Sequence, residues 1–292
     1  MTLGSNWQAE KYELDDASRR GAQGAFASLS RGYTHYEQGG PRDSRAVILI
    51  HGFSIPYFIW DPTFQFLTAA GFQSVRYDLF GRGFSDRPDV EYGMPLYLEQ
   101  LKGLLDALSI RKADLIGLSM GGPIAATFAV SCPERVDRLV LIAPVADQPI
   151  SLGVFYRLAV LPGIGDALFG IVGNGALLNA VAKDFFNGAN VNLFRERYRT
   201  QMEFRGFRRA ILSTVRNNML AGFGDVYAHL GQLGKRVLLI WGEDDKTVPF
   251  EHSRGLRRLL PQAEFMSVAH CGHIPHYERP AIINPRLLQF LN

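Results

Sequence analysis

Short runs rich in Val, Ile and Leu, separated by stretches of helical periodicity, limit what this chain can fold into more than any other feature. Residues 46–50 read AVILI, 74–77 SVRY, 114–118 DLIGL, 139–142 LVLI and 237–241 VLLIW; residues 263–268 form a weaker last run. Apolar runs without a polar alternate face mark parallel strands covered on both sides. The stretches between them carry apolar residues at helical spacing, as at Leu98, Leu101, Leu104, Leu105 and Leu108. The helical segments are 60–70, 95–108, 121–130, 251–260 and 280–291. Strand–helix alternation predicts an α/β fold: a mostly parallel, doubly wound sheet of about eight strands. Residues 25–29 and 33–37 are candidates for an antiparallel edge hairpin.

The alternation fails once. From 145 to 233 no strand-like run occurs, only helical pieces joined by Gly and Asn. The chain therefore divides into a core, 1–144 and 234–292, and a helical cap, 145–233, inserted after the sixth strand. The insertion has a greasy half, 150–181, and a basic half with seven arginines at 195, 197, 199, 205, 208, 209 and 216. The greasy half suits either the wall of an acyl pocket or the glue between cap and core. The arginines suit either an anionic ligand or surface, or a plain solvated face. Like charges at i, i+4, such as Arg195/Arg199 and Arg205/Arg209, repel unless acidic neighbours compensate.

Composition narrows the functional class. With 47% hydrophobic and 20% charged residues over 292 positions the chain is neither disordered nor collagen-like. A net charge of +3 is too small to imply nucleic-acid binding. Cys132 and Cys271 form neither a disulfide framework nor a zinc pattern, which fits a reducing compartment. The N-terminal twenty residues carry Glu10, Glu13, Asp15 and Asp16 and lack a secretory apolar core. Residues 150–172 are interrupted by Arg157, Pro162, Asp166 and glycines, so no membrane span is expected there. The expectation is a soluble cytoplasmic protein of unspecified oligomeric state.

The sharpest chemical signal is Gly117-Leu118-Ser119-Met120-Gly121-Gly122. It matches G-x-S-x-G between a predicted strand and a predicted helix. A serine on so tight a turn needs small neighbours, and the turn lifts its hydroxyl above the sheet. It also aims the Met120 N–H at a reacting oxygen. His51-Gly52-Phe53 follows another strand, where a glycine lets the backbone present the Phe53 N–H as a second oxyanion donor. Asp245, just past the 237–241 strand, suits a carboxylate that orients an imidazole. Glu243, Asp244 and the more distant Asp147 compete for that role. His273 lies in a loop after the last strand, free to reach the serine as general base. His270, His273 and His276 are spaced by three, yet no carboxylate or thiolate set accompanies them and Pro275 interrupts a helix that would align them. No metal is expected, and His270 and His276 are expected to be structural or surface residues.

The chain order Ser119, Asp245, His273 resembles that of the α/β-hydrolase superfamily. The matching segments are HGF at 51–53, YDLFGRGFSD at 77–86, GLSMGG at 117–122, WGEDDKTVP at 241–249 and CGHIPHYERP at 271–280. The resemblance implies Ser119 as nucleophile, His273 as base, Asp245 as its orienter, and Phe53 and Met120 as oxyanion donors. It assigns the insertion to the family's cap, and Asp78, Gly81, Gly83 and Ser85 to a scaffold turn. It implies two-step acyl transfer without a cofactor on a small, apolar acyl substrate. The first expectation is a carboxylic ester, as in esterases and monoacylglycerol lipases. The alternatives are a C–C bond in a ring-fission diketone, a lactone, an amide, perhydrolysis, or a receptor without catalysis. Epoxide hydrolases and haloalkane dehalogenases are disfavoured because they carry an aspartate at the Ser119 position.

Overall fold

The computed structural model describes residues 10–150, 160–161, 163–187 and 191–292. Parts of the N-terminal reading (1–9) and of the greasy half (151–159 and 162) lie outside the described residues. In chain order the elements begin with α1 (Asp16–Arg20), β1 (Ala25–Leu29), β2 (Gly32–Gly39), β3 (Ala46–Ile50), α2 (Asp61–Ala69) and β4 (Gln73–Tyr77). There follow α3 (Met94–Ala107), β5 (Ala113–Leu118), α4 (Gly121–Ser131) and β6 (Val136–Ile142). The insertion carries α5 (Ile164–Lys183), α6 (Val191–Thr200), α7 (Phe207–Arg216) and α8 (Gly224–Gln232). The chain closes with β7 (Arg236–Gly242), α9 (His252–Leu259), β8 (Glu264–Val268), α10 (Pro275–Glu278) and α11 (Pro280–Leu291).

The eight strands form one sheet in the order β1-β2-β4-β3-β5-β6-β7-β8. The β1–β2 and β2–β4 pairs are antiparallel and the rest are parallel. The expected edge hairpin is present, and the expected architecture of about eight mostly parallel strands with a helical insertion after the sixth is what forms.

The apolar runs form strands because both faces of the sheet are covered. All residues of β3 and β5 are buried. Alternate side chains enter opposite layers. Ile48, Ile50, Leu115, Leu139 and Leu141 pack with residues of α3, α4, α8 and α9. Val47, Leu49, Ile116, Val140 and Ile142 pack with α2, α11 and residues of α5, α6 and α7. Each such side chain contributes about 1.5–3 kcal/mol relative to exposure. The second layer thus joins the insertion to the sheet through one apolar cluster, so part of the greasy half does act as glue.

Among the described residues, α5 is the one helix long and apolar enough to cross a membrane. It starts at Ile164, just past Pro162, and holds Asp166 in its first turn. It buries Phe169, Leu177 and Val181 against the neighbouring helices and leaves Ile164 and Ile171 exposed.

Candidate functional site

The serine turn is built by close approach. Ser119 has φ +52°, a left-handed conformation that costs a non-glycine residue energy. Its N–H donates to Ile142 O at 2.9 Å, and its carbonyl accepts the N–H groups of Gly122 (2.9 Å) and Val145 (3.1 Å). A Cβ at position 117 would fall 2.3 Å from Gly121 O, and one at 121 would fall 2.3 Å from Ile50 O. The glycines that flank the serine are therefore steric requirements of the strand–turn–helix crossing.

His51 shapes the opposite wall. Its Nδ1 donates to Gly52 O at 2.9 Å, and its Nε2 accepts the Leu79 N–H at 2.9 Å, which fixes the tautomer. Burial pushes its pKa down to about 4, so the ring stays neutral. A trans peptide points its C=O and N–H in opposite directions. Holding Gly52 O therefore aims the Phe53 N–H. The Phe53 carbonyl is held in turn by Arg82 Nε at 2.8 Å. Gly52 lies close enough to Ser119 that a Cβ there would sit 3.1 Å from the serine Cβ. Among the described residues, neither the Phe53 N–H nor the Met120 N–H donates to another group.

The structure brings Asp245 to His273. Asp245 Oδ2 lies 2.7 Å from His273 Nδ1, and Oδ1 accepts the N–H groups of Thr247 (2.8 Å) and Val248 (2.9 Å). Both side chains are almost fully buried. Burial alone would lower the His273 pKa. The Asp245 charge and hydrogen bond, with a contribution from Asp184, overcome it and hold the ring above its ordinary value. The other acidic candidates go elsewhere. Asp147 packs against Gly255, whose Cβ would fall 2.3 Å from its carboxylate oxygens, while Glu243 is exposed and Asp244 half-buried. The three histidines diverge as well. His270 is exposed, and His276 is buried against the Trp60 ring at 4.2 Å. Pro275 opens the short helix α10 after His273, rather than breaking one that contains it.

Ser119 and His273 line one cavity of about 190 Å³, with Gly52, Phe53, Ile55 and Leu118 from the core. Leu177, Val181, Lys183 and Asp184 line it from α5 and its end, and Ile150, Leu220, Lys246 and Thr247 are among its other lining residues. Apolar atoms dominate its wall, and the exposed Lys183 and Lys246 stand on its solvent side.

The model of the alpha/beta hydrolase family matches residues 47–286. This chain belongs to that family. The hydrolase is 31% identical over 273 residues to the 2-hydroxy-6-oxononadienedioate/2-hydroxy-6-oxononatrienedioate hydrolase of Paraburkholderia phymatum, covering 88% of this chain and 90% of the relative. It superposes on a meta-cleavage product hydrolase of Pseudomonas fluorescens with a TM-score of 0.76 at 26% identity, covering 92% of this chain and 97% of that one. A carboxylesterase of Bacillus subtilis, 22% identical, shares the fold with a TM-score of 0.75, covering 91% and 90%.

The basic half of the insertion proves to be mostly bracing. Arg197 pairs with Asp61 at 2.5 Å, Arg205 with Glu13 at 2.8 Å and Arg209 with Asp89 at 2.7 Å. Arg195 Nε donates to Leu178 O, and Arg216 pairs with Asp166. Arg205 lies in the turn before α7, so the expected Arg205/Arg209 pair does not share a helix, and each of the two has its own acidic partner from a distant segment; on α6, Arg195 is held by a carbonyl instead. The scaffold turn behaves likewise. Asp78 accepts the Tyr57 N–H (2.8 Å) and the Phe84 N–H (3.0 Å) and pairs with His35 at 2.7 Å.

Three residues escaped the sequence reading. Arg82, inside the 77–86 motif, ties Phe53 O to Tyr97 and to Thr214 of the insertion. Gln201 joins Ser54 O to the Gly83 N–H. Asp184 lies in the cavity wall itself. An arginine between the two glycines of the scaffold turn was a readable signal for the first; the other two had none.

Proposed function

We propose that this hydrolase works through a Ser119–His273–Asp245 triad and cleaves a carbon–carbon bond in a vinylogous diketo acid. The observation that carries the reading is the cavity. It offers an apolar wall for the acyl part, Ser119 with Phe53 beside it for the reacting carbonyl, and the exposed Lys183 and Lys246 among its lining residues for a carboxylate; in this reading Met120, next to Ser119 in the chain, supplies the second N–H. The Paraburkholderia relative, whose name describes a 2-hydroxy-6-oxo dienedioate, supports it.

The substrate reacts as its 2,6-diketo tautomer, formed when the 2-hydroxyl proton moves to C5. Ser119 Oγ attacks the C6 ketone while His273 Nε2 takes its proton, and the two N–H groups hold the oxyanion. The C5–C6 bond breaks. Its electron pair passes along the conjugated chain onto the 2-oxo oxygen, which receives the proton from His273. Water then gives a proton to His273 and its hydroxyl to the acyl carbon. Ser119 leaves with that proton and a carboxylic acid departs. Lys183 and Lys246 counter the carboxylate and the dienolate charge that develops beside it.

Ester hydrolysis is the second reading, favoured by the predominantly apolar wall. The same acyl-enzyme forms, and the leaving alkoxide takes the proton from His273. One comparison separates the two: kcat/KM for 2-hydroxy-6-oxo-6-phenylhexa-2,4-dienoate against p-nitrophenyl esters of increasing chain length. The C–C reading requires the dienoate to rank first; an ester that ranks above it moves the assignment to an esterase. A fluorophosphonate that labels wild type but not Ser119→Ala distinguishes both from a receptor.

A further inference from the structure

The insertion does more than roof the cavity. The segment that follows α5 runs against the loop carrying His273. Asp184 O accepts the His273 N–H at 2.8 Å, and the Phe186 N–H donates to Glu278 Oε1 at 2.8 Å. The approach is so close that a Cβ at Gly272 would fall 2.5 Å from Asp184 O and 2.8 Å from Phe186 N. The Asp184 side chain turns to the other loop. Its Oδ1 accepts the Thr247 hydroxyl at 2.6 Å, and the Thr247 N–H donates to Asp245. One residue of the insertion thus grips the loop of the acid with its side chain and the loop of the base with its main chain.

We propose that Asp184 is a positioning residue: a carboxylate of the insertion that fixes the separation of the Asp245 and His273 loops and sets a second negative charge beside the imidazole. The proposal rests on the triad reading above and adds to it a part played by the insertion. Asp184 touches no reacting atom; it acts through His273 and Thr247.

The electrostatic surroundings agree. Burial pushes the Asp184 carboxyl up to about 6, opposed by the charge of His273 and the Thr247 hydrogen bond. Asp245 and Glu278 face it with like charge. Lys183, the last residue of α5, and Lys246 beside Thr247 line the same cavity from exposed positions. Ionised, Asp184 favours the imidazolium, and so it raises the pH at which His273 becomes a base.

The test uses the full chain and a fluorophosphonate probe, whose labelling rate reads Ser119 and His273 without assuming a substrate. Asp184→Asn keeps the size and the acceptor oxygen but removes the charge. Its labelling profile should rise about half to one pH unit lower than that of wild type, with a plateau within about threefold, and the His273 ring signal in NMR should titrate lower by the same amount. Thr247→Val removes the hydroxyl grip and should lower the plateau about fivefold, the direction expected for a slightly misplaced base. A wild-type profile and His273 titration in Asp184→Asn overturn the electrostatic half. A wild-type plateau in Thr247→Val overturns the positioning half. A protein that labels normally but ignores dienoates refutes the substrate reading alone. One that does not label refutes the triad, and the NMR titration still decides whether Asp184 acts on His273.

Discussion

Among the described residues two buried Asp–His pairs share the same 2.7 Å contact, and under the proposed function only one of them does chemistry. In the first, His35 Nδ1 faces Asp78 Oδ2 and Nε2 faces Gln23 O at 2.6 Å. Both ring nitrogens are thus engaged by groups of the fold. Burial opposes the Asp78 charge, but the His35 hydrogen bond and charge outweigh it and hold the carboxyl below its ordinary range. This pair is a strut that locks β2 to the scaffold turn. In the second, His273 Nδ1 meets Asp245 and the ring lines the cavity with Ser119. What separates the two is the ring's surroundings: both nitrogens of His35 are held by the fold, whereas His273 lines a cavity together with Ser119. A buried Asp–His contact by itself therefore says nothing about catalysis.

The contrast can be broken at several points. Ser119→Ala should cost about 10⁵-fold or more in turnover, with the melting temperature little changed. Residual labelling by a fluorophosphonate in that variant would put the nucleophile elsewhere. Asp245→Asn should lower turnover about 10⁴-fold in a stable protein, because the imidazole loses its orienting charge. Asp78→Asn should do the reverse: about 3–5 kcal/mol of stability lost in urea unfolding, since it breaks a buried pair, with far less effect on turnover. Should the two variants trade behaviours, the division into strut and base fails.

A smaller effect sharpens the oxyanion wall. His51→Leu releases the Gly52–Phe53 peptide and should slow labelling by no more than about 10²-fold, the scale of one lost oxyanion donor. No change at all would show that the peptide is held without the ring. The smallest effect is in pH. His273 must be neutral to take a proton, and its folded pKa lies above 6.5, so labelling should rise with pH through a midpoint above 6.5. His51, near 4, stays neutral across that range and contributes no second limb. A midpoint below 6.5 would mean that burial outweighs the two carboxylates.

Much of this was legible in the residues. The strands β3, β5 and β7 match their apolar runs to within a residue at each end, because burial on both faces leaves no polar alternative. β6 starts at Val136 rather than 139, since Asp137 and Arg138 lie at its half-buried start, where Asp137 pairs with Lys112. Position after a strand brought Asp245 and His273 forward but left Glu243, Asp244 and Asp147 open beside Asp245, and the choice among them came from the resemblance to the α/β-hydrolase superfamily. Asp184 was not. It follows a helix whose faces are nearly all apolar, so periodicity there points nowhere, and no motif surrounds it. The arginines were ambiguous for a related reason: Glu13, Asp61 and Asp89 lie more than a hundred residues away in the chain.

The tight passage of residues 184–186 over Gly272 bears on how this scaffold can be diversified. Wherever the roof is welded to the base loop, swapping it wholesale risks dislodging the imidazole along with the old specificity. New preferences should arise most readily from point changes at Ile150 or Leu220, which shape the chamber from outside the cluster that holds the insertion to that loop.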